Sequence, residues 1–131
     1  MKTFTHIMLA IIFLFLIGIS IGEEYTVSSS LSQTMDDCLI IEKLSDSLDD
    51  VRRMDIALAV DDLEYNWLKN EKRMCFWVNH KNIQEIGMEI SKIKVYLREN
   101  DVKEFRASIE AVKFYSESYL HFMGANLDNV L

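Results

Sequence analysis

Residues 80–101 read HKNIQEIGMEISKIKVYLREND. Within them Ile83, Ile86, Ile90, Ile93 and Leu97 recur at intervals of three, four, three and four. That spacing draws one apolar seam along an α-helix, because 3.6 residues complete a turn. The stretch closes on Asn100-Asp101, and Asp101 with Glu104 makes the D-x-x-E pattern in which side chains satisfy free amides at a helix start. One helix therefore ends near residue 99 and another begins at once. Gly87, lacking a side chain, marks a place where a second helix can approach closely.

Outward from this stretch the same period continues. On the C-terminal side Phe105, Ile109, Val112, Tyr115 or Ser116, Tyr119, Phe122 and Met123 form the buried side of a last helix that frays near Gly124. On the N-terminal side Ile56, Ala57, Val60, Leu63, Trp67, Met74, Trp77 and Val78 define a central helix, for which Asp55 is the expected N-cap. Earlier still, Leu31, Met35, Cys38, Ile41, Leu44, Leu48 and Val51 lie along one helical side, with a break expected between Asp49 and Met54. Ser28-Ser29-Ser30 reads as a linker, a helix start, or a continuation of the segment before it. Proline is absent, and neither glycine nor proline occurs between Gly22 and Gly87. A β domain of this length would need many tight turns, which draw on those residues. Short connections between successive helices make neighbours antiparallel. The expected fold is all-α: an N-terminal membrane helix followed by an up-down bundle of three to four amphipathic helices.

Residues Ile7 to Ile21 are apolar except for Gly18 and Ser20, with Lys2 before them and Glu23-Glu24 after. Positive charge ahead of a short apolar run favours an N-terminus held in the cytoplasm and a remainder sent across. Fifteen residues fall short of a ~30 Å hydrocarbon core at ~1.5 Å per residue, but residues 4–22 nearly reach it. Ser20-Ile21-Gly22 also offers a signal-peptide cleavage site. Two organisations follow: residues 1–22 as a membrane anchor with 23–131 as the bundle domain, or secretion after cleavage near Gly22. In the first, residues 4–22 contact membrane lipid.

The chain of 131 residues is long enough for one domain. Its net charge is -7; without residues 1–22 it has 13 basic and 21 acidic residues, a balance of -8. Such a field repels a phosphate backbone or an anionic lipid surface, so nucleic acid is not an expected partner.

No constellation of catalytic residues stands out, and the domain is read as non-enzymatic, without catalytic, cofactor-binding or metal residues and without a cofactor. His6, His80 and His121 have no neighbour at metal-ligand spacing. The pairs Asp36/Asp37, Asp49/Asp50 and Asp61/Asp62 lack the D-x-D-x-D-G pattern of calcium loops. Cys38 and Cys75 invite a disulfide in an exported protein, yet a fold-back near residue 52 sets Cys38 opposite residue 66, roughly 13 Å along the helix from Cys75 at ~1.5 Å per residue. Both are expected as buried free thiols. In the aromatic central stretch Tyr65 and Phe76 fall off the main stripe, and they are the candidate partner-facing residues.

One N-terminal span, the Trp67…Trp77-Val78-Asn79-His80 stretch, the run from Ile83 to Tyr96-Leu97-Arg98-Glu99-Asn100-Asp101 and the ending Leu127-Asp128-Asn129-Val130-Leu131 resemble the bacterial family known as domain of unknown function 4363. The resemblance covers nearly the whole chain and rests on spaced hydrophobic and aromatic positions. It implies a single-pass membrane protein of Firmicutes-like bacteria with a helical extracytoplasmic domain, and favours the anchor over cleavage; it implies no activity. The leading functional expectation is an accessory or interaction module for another membrane or envelope protein. The alternative is a small ligand or metal sensor using the bundle interior, with His80, His121 and Glu71 converging there.

Overall fold

The computed structural model describes residues 1–128 and contains four helices: α1 (Lys2–Ser45), α2 (Met54–Met74), α3 (His80–Glu99) and α4 (Val102–Asp128). Each packs on its chain neighbour, and α1 also packs on α4. This is an up-down four-helix bundle whose first helix is also the apolar N-terminal segment. The serine stretch breaks nothing. Ser30 Oγ donates to the Thr26 carbonyl at 2.7 Å and Thr34 Oγ1 to the Ser30 carbonyl at 3.0 Å. Hydroxyls satisfied within their own helix can be buried at low cost, and Ser30 and Thr34 are buried.

Several boundaries differ from the periodicity. The first helix stops at Ser45, where Ser47 adopts a left-handed φ of 57°. Leu48 and Val51 therefore sit in the loop, though Val51 is fully buried and its amide donates to Asn100 Oδ1 at 2.9 Å. An apolar side chain in a loop continues the stripe by packing alone. The N-cap of α2 is Arg53, without a side-chain cap bond; Asp55 lies two residues further on, in the first turn, where its carboxylate accepts from the Ile56 amide at 3.0 Å. Trp77 and Val78 belong to the α2–α3 turn, because Asn79 caps α3 by accepting from the Lys81 amide at 3.1 Å. At the other end of α3, Asn100 takes φ 54° and Asp101 Oδ1 accepts from the Glu104 amide at 3.2 Å. Helix α4 runs past Gly124 to Asp128. Phe122, expected inside, is 63% exposed, whereas Ser116 is fully buried.

All five residues of the Ile83–Leu97 seam are buried, together with Leu31, Ile41, Leu63, Trp67, Phe105 and Ile109. Polar pairs between helices set the register. Asn66 Nδ2 donates to Asp37 and Asn70 Nδ2 to Gln33, both at 2.9 Å. Each pair sums to 103, so Cys38 lies level with residue 65, next to the expected 66. Cys38 and Cys75 are free, but Cys75 is exposed, contrary to expectation, because α2 ends one residue before it. Lys94 pairs with Asp61 at 3.2 Å and with Glu64, and Lys113 with Glu42 at 2.9 Å. Pairs this exposed add at most about 1 kcal/mol each.

Gly87 stands where helices cross closely. A Cβ there would come within 3.0 Å of Trp67 Nε1, whereas one at Gly124 would meet nothing within 4 Å. Trp67 is only 2% exposed, so its ring has little freedom to yield. An alanine gains up to ~1 kcal/mol of helix propensity over glycine. Gly124→Ala is thus expected to hold or raise thermal stability, and Gly87→Ala to lower it with a shift in tryptophan emission. Equal gains from both would show that the crossing has slack.

Candidate interaction surface

Helix α2 carries two apolar faces. One contributes Ile56, Val60, Leu63, Trp67 and Met74 to the core. The other consists of Met54, Leu58, Tyr65 and Leu68, exposed by 76%, 58%, 68% and 51%. At 100° per residue these four lie within one narrow sector, directly opposite the buried set. Sequence reasoning marked Tyr65 but missed its three companions. Their signal was present as offsets of 4, 11 and 14 residues from Met54, masked by the stronger core stripe in the same helix.

Beside this stripe an open groove follows the α2–α3 seam, lined by Trp67, Leu68, Gln84, Gly87, Met88 and Ser91. Helices α2 and α3 share less contact than any other adjacent pair. Met88 is half exposed on the α3 wall, facing Leu68 across the groove. At its floor, buried Trp67 Nε1 donates to no acceptor among the described residues. An indole N–H without a partner in a dry setting is a destabilising element.

Phe76 is 89% exposed but lies elsewhere, in the α2–α3 turn at the end of the bundle nearest Gly22. Both candidate aromatics are exposed, Tyr65 on α2 and Phe76 in the turn that follows it. The structure does not assemble the His80, His121 and Glu71 arrangement: both histidines are exposed and Glu71 is half-buried on the α2–α3 groove. His80 Nδ1 instead lies 3.3 Å from Cys75 Sγ. Among the described residues no three His, Cys, Asp or Glu side chains converge. Burial, followed by the adjacent Asp37 carboxylate, pushes the Cys38 thiol up to about 12. Burial also raises Asp37, against the lowering effect of its hydrogen bond from Asn66.

The apolar end of α1 stands apart from the bundle. An 18-residue window has a mean hydropathy of 2.5 and none of it is buried, so the helix is long and apolar enough to cross a membrane or to act as a signal sequence. The helix begins to be covered at Gly22 and Glu23, and Val27 is its first fully buried residue.

A family described as a domain of unknown function, DUF4363, matches residues 25–130. The chain belongs to this family. The match spans the bundle and leaves the apolar segment outside, and the part of the ending at residues 129–131 lies outside the described residues. No curated protein matches the chain, and no solved structure does.

Proposed function

We propose that this member of the family is a membrane-tethered, non-enzymatic interaction module, with its N-terminus in the cytoplasm and its bundle outside. The observation that carries the reading is the second apolar stripe of α2. Met54, Leu58, Tyr65 and Leu68 repeat with near-heptad spacing on a helix whose opposite face already fills the core. A helix with apolar residues on both sides can engage two neighbours, and the outer stripe suits an amphipathic helix of a membrane or envelope protein. The unbroken α1 supports the tether: a span at residues 4–22 passes into the bundle without a hinge, presenting α2 at a set height above the membrane. Retention of residues 1–22 belongs to the same proposal, and the intact mass of the protein in cells tests it.

A photo-crosslinking residue at Leu58 or Tyr65 tests the docking face, with the same probe at exposed Glu117 on α4 as a control. The expected result is a discrete adduct from the stripe positions in intact membranes. Leu68→Glu should remove the adduct and leave helical content unchanged, since Leu68 is half exposed. Stripe positions that give no more adduct than Glu117 would overturn the docking face. Trp67 is unsuitable as a probe site, being buried.

The Trp67 N–H beside the α2–α3 groove, which has no acceptor among the described residues, favours a second reading, a small ligand carrying a hydrogen-bond acceptor. Such a ligand would raise the melting temperature of the wild-type chain, and Gly87→Ala would abolish the rise.

A further inference from the structure

The acidic total conceals a basic, aromatic turn. Residues 69–81 contain Lys69, Lys72, Arg73 and Lys81 against Glu71 alone, a local balance of +3 in a chain of net charge -7. All four cations are exposed, and none forms an ion pair among the described residues. At the centre of this segment is Phe76, the most exposed aromatic side chain described in the bundle. Helix α2 runs antiparallel to α1, and the pairing of Asn70 with Gln33 carries the turn toward the apolar segment. Trp77 completes the approach: its ring lies 3.7 Å from where a Cβ of Gly22 would stand. Gly22 is the last residue of the apolar stretch. The turn is therefore level with the point where a membrane-spanning α1 leaves the hydrocarbon.

Other groups share that level. Tyr25 is 72% exposed one turn above Gly22, and Phe122 forms one wall of an open groove with Lys81. Aromatic rings concentrate at membrane–water boundaries because their bodies are apolar and their edges polar. Basic side chains beside them gain from anionic headgroups over a distance of one Debye length. Glu23, Glu24, Glu71 and Glu85 lie near the same end and oppose that attraction. Ring insertion is accordingly the primary interaction and charge the secondary one.

We propose that the α2–α3 turn is a second membrane contact, in which Phe76 and Trp77 enter the lipid interface and Lys69, Lys72, Arg73 and Lys81 meet anionic headgroups. The proposal rests on the reading that α1 spans the membrane. It assigns Phe76 to lipid and leaves Tyr65 to a protein partner. Together with α1 the turn gives the bundle two attachment points, which restrict its tilt.

The test uses the full chain in vesicles of phosphatidylcholine and phosphatidylglycerol, with part of the lipid brominated just below the headgroup. Alkaline extraction reports the span independently. The expected result is a chain that resists extraction, with Trp77 emission quenched and Trp67 emission, inside the bundle, retained. Phe76→Ser should lose most of the quenching; Lys72→Glu with Arg73→Glu should lose part of it, and high salt should reproduce that partial loss. These side chains are exposed, so circular dichroism should show an unchanged fold. A chain that resists extraction but shows no quenching overturns the lipid contact and leaves the anchor standing. One released by alkali overturns the anchor, and the lipid contact with it.

Discussion

Phe105→Ala lowers the unfolding free energy of the bundle by about 3–5 kcal/mol. The ring is fully buried in the first turn of α4, next to the point where three elements meet. Arg106, its neighbour, donates to the carbonyls of Ser45 and Leu48 at 3.0 Å each, closing the end of α1. The Val51 amide, on Asn100, ties the same loop to the α3–α4 turn. Removing the ring costs its transfer free energy and leaves a cavity that three tethered segments cannot collapse to fill. A domain of this size has roughly 5–15 kcal/mol in all, so the variant should unfold at markedly lower denaturant. Phe114→Ala is the comparison. That ring is 65% exposed, and its loss should fall within about 0.5 kcal/mol, the usual range for surface changes. Equal effects from the two phenylalanines would contradict the placement of α4.

The second large effect is chemical. In the folded chain at pH 8, an alkylating reagent should modify Cys75 and spare Cys38. The thiolate is the reactive form, and burial moves Cys38 from 9.0 to about 12. Three units is about a thousandfold less thiolate well below both values, before any steric exclusion is counted. Mass spectrometry should show one adduct in the native chain and two after denaturation; rapid double labelling of native protein would refute the buried site. The same shift has a consequence for stability. Because the folded thiol holds its proton more tightly, its contribution is fully present below about pH 9 and is lost as pH rises toward about 12. The alkaline decline in stability should therefore be shallower in Cys38→Ala, although that variant starts lower.

Both effects depend on residues that helical spacing had already placed inside. Phe105, Cys38 and the seam from Ile83 to Leu97 were legible because burial on a helix repeats with its turn, whatever the helix packs against. The end of α3 was equally legible, since Asn100 tolerates a left-handed φ and Asp101 can cap. The boundaries of α1 and α2 were not. Leu48, Val51, Trp77 and Val78 are apolar for the sake of the core, and a packed loop residue carries the same signal as a helical one. Cys75 was misplaced for that reason. Phe122 shows the converse: its spacing matches the core stripe, yet the chain there leaves it at the rim.

By itself the sequence determined that the protein is helical, that one apolar segment precedes an acidic domain, and which seam each helix buries. These are properties of single segments, governed by turn-forming residues and local periodicity. Only the tertiary structure decided that the apolar segment and the first bundle helix are one rod, and that α2 keeps an unpaired apolar face. It also decided that Trp77 reaches back to Gly22, 55 residues away in the sequence. Such juxtapositions depend on the register between helices, which is set by pairs such as Asn66–Asp37 and Asn70–Gln33. No periodicity within a single helix encodes that register, because it exists only once two helices have met.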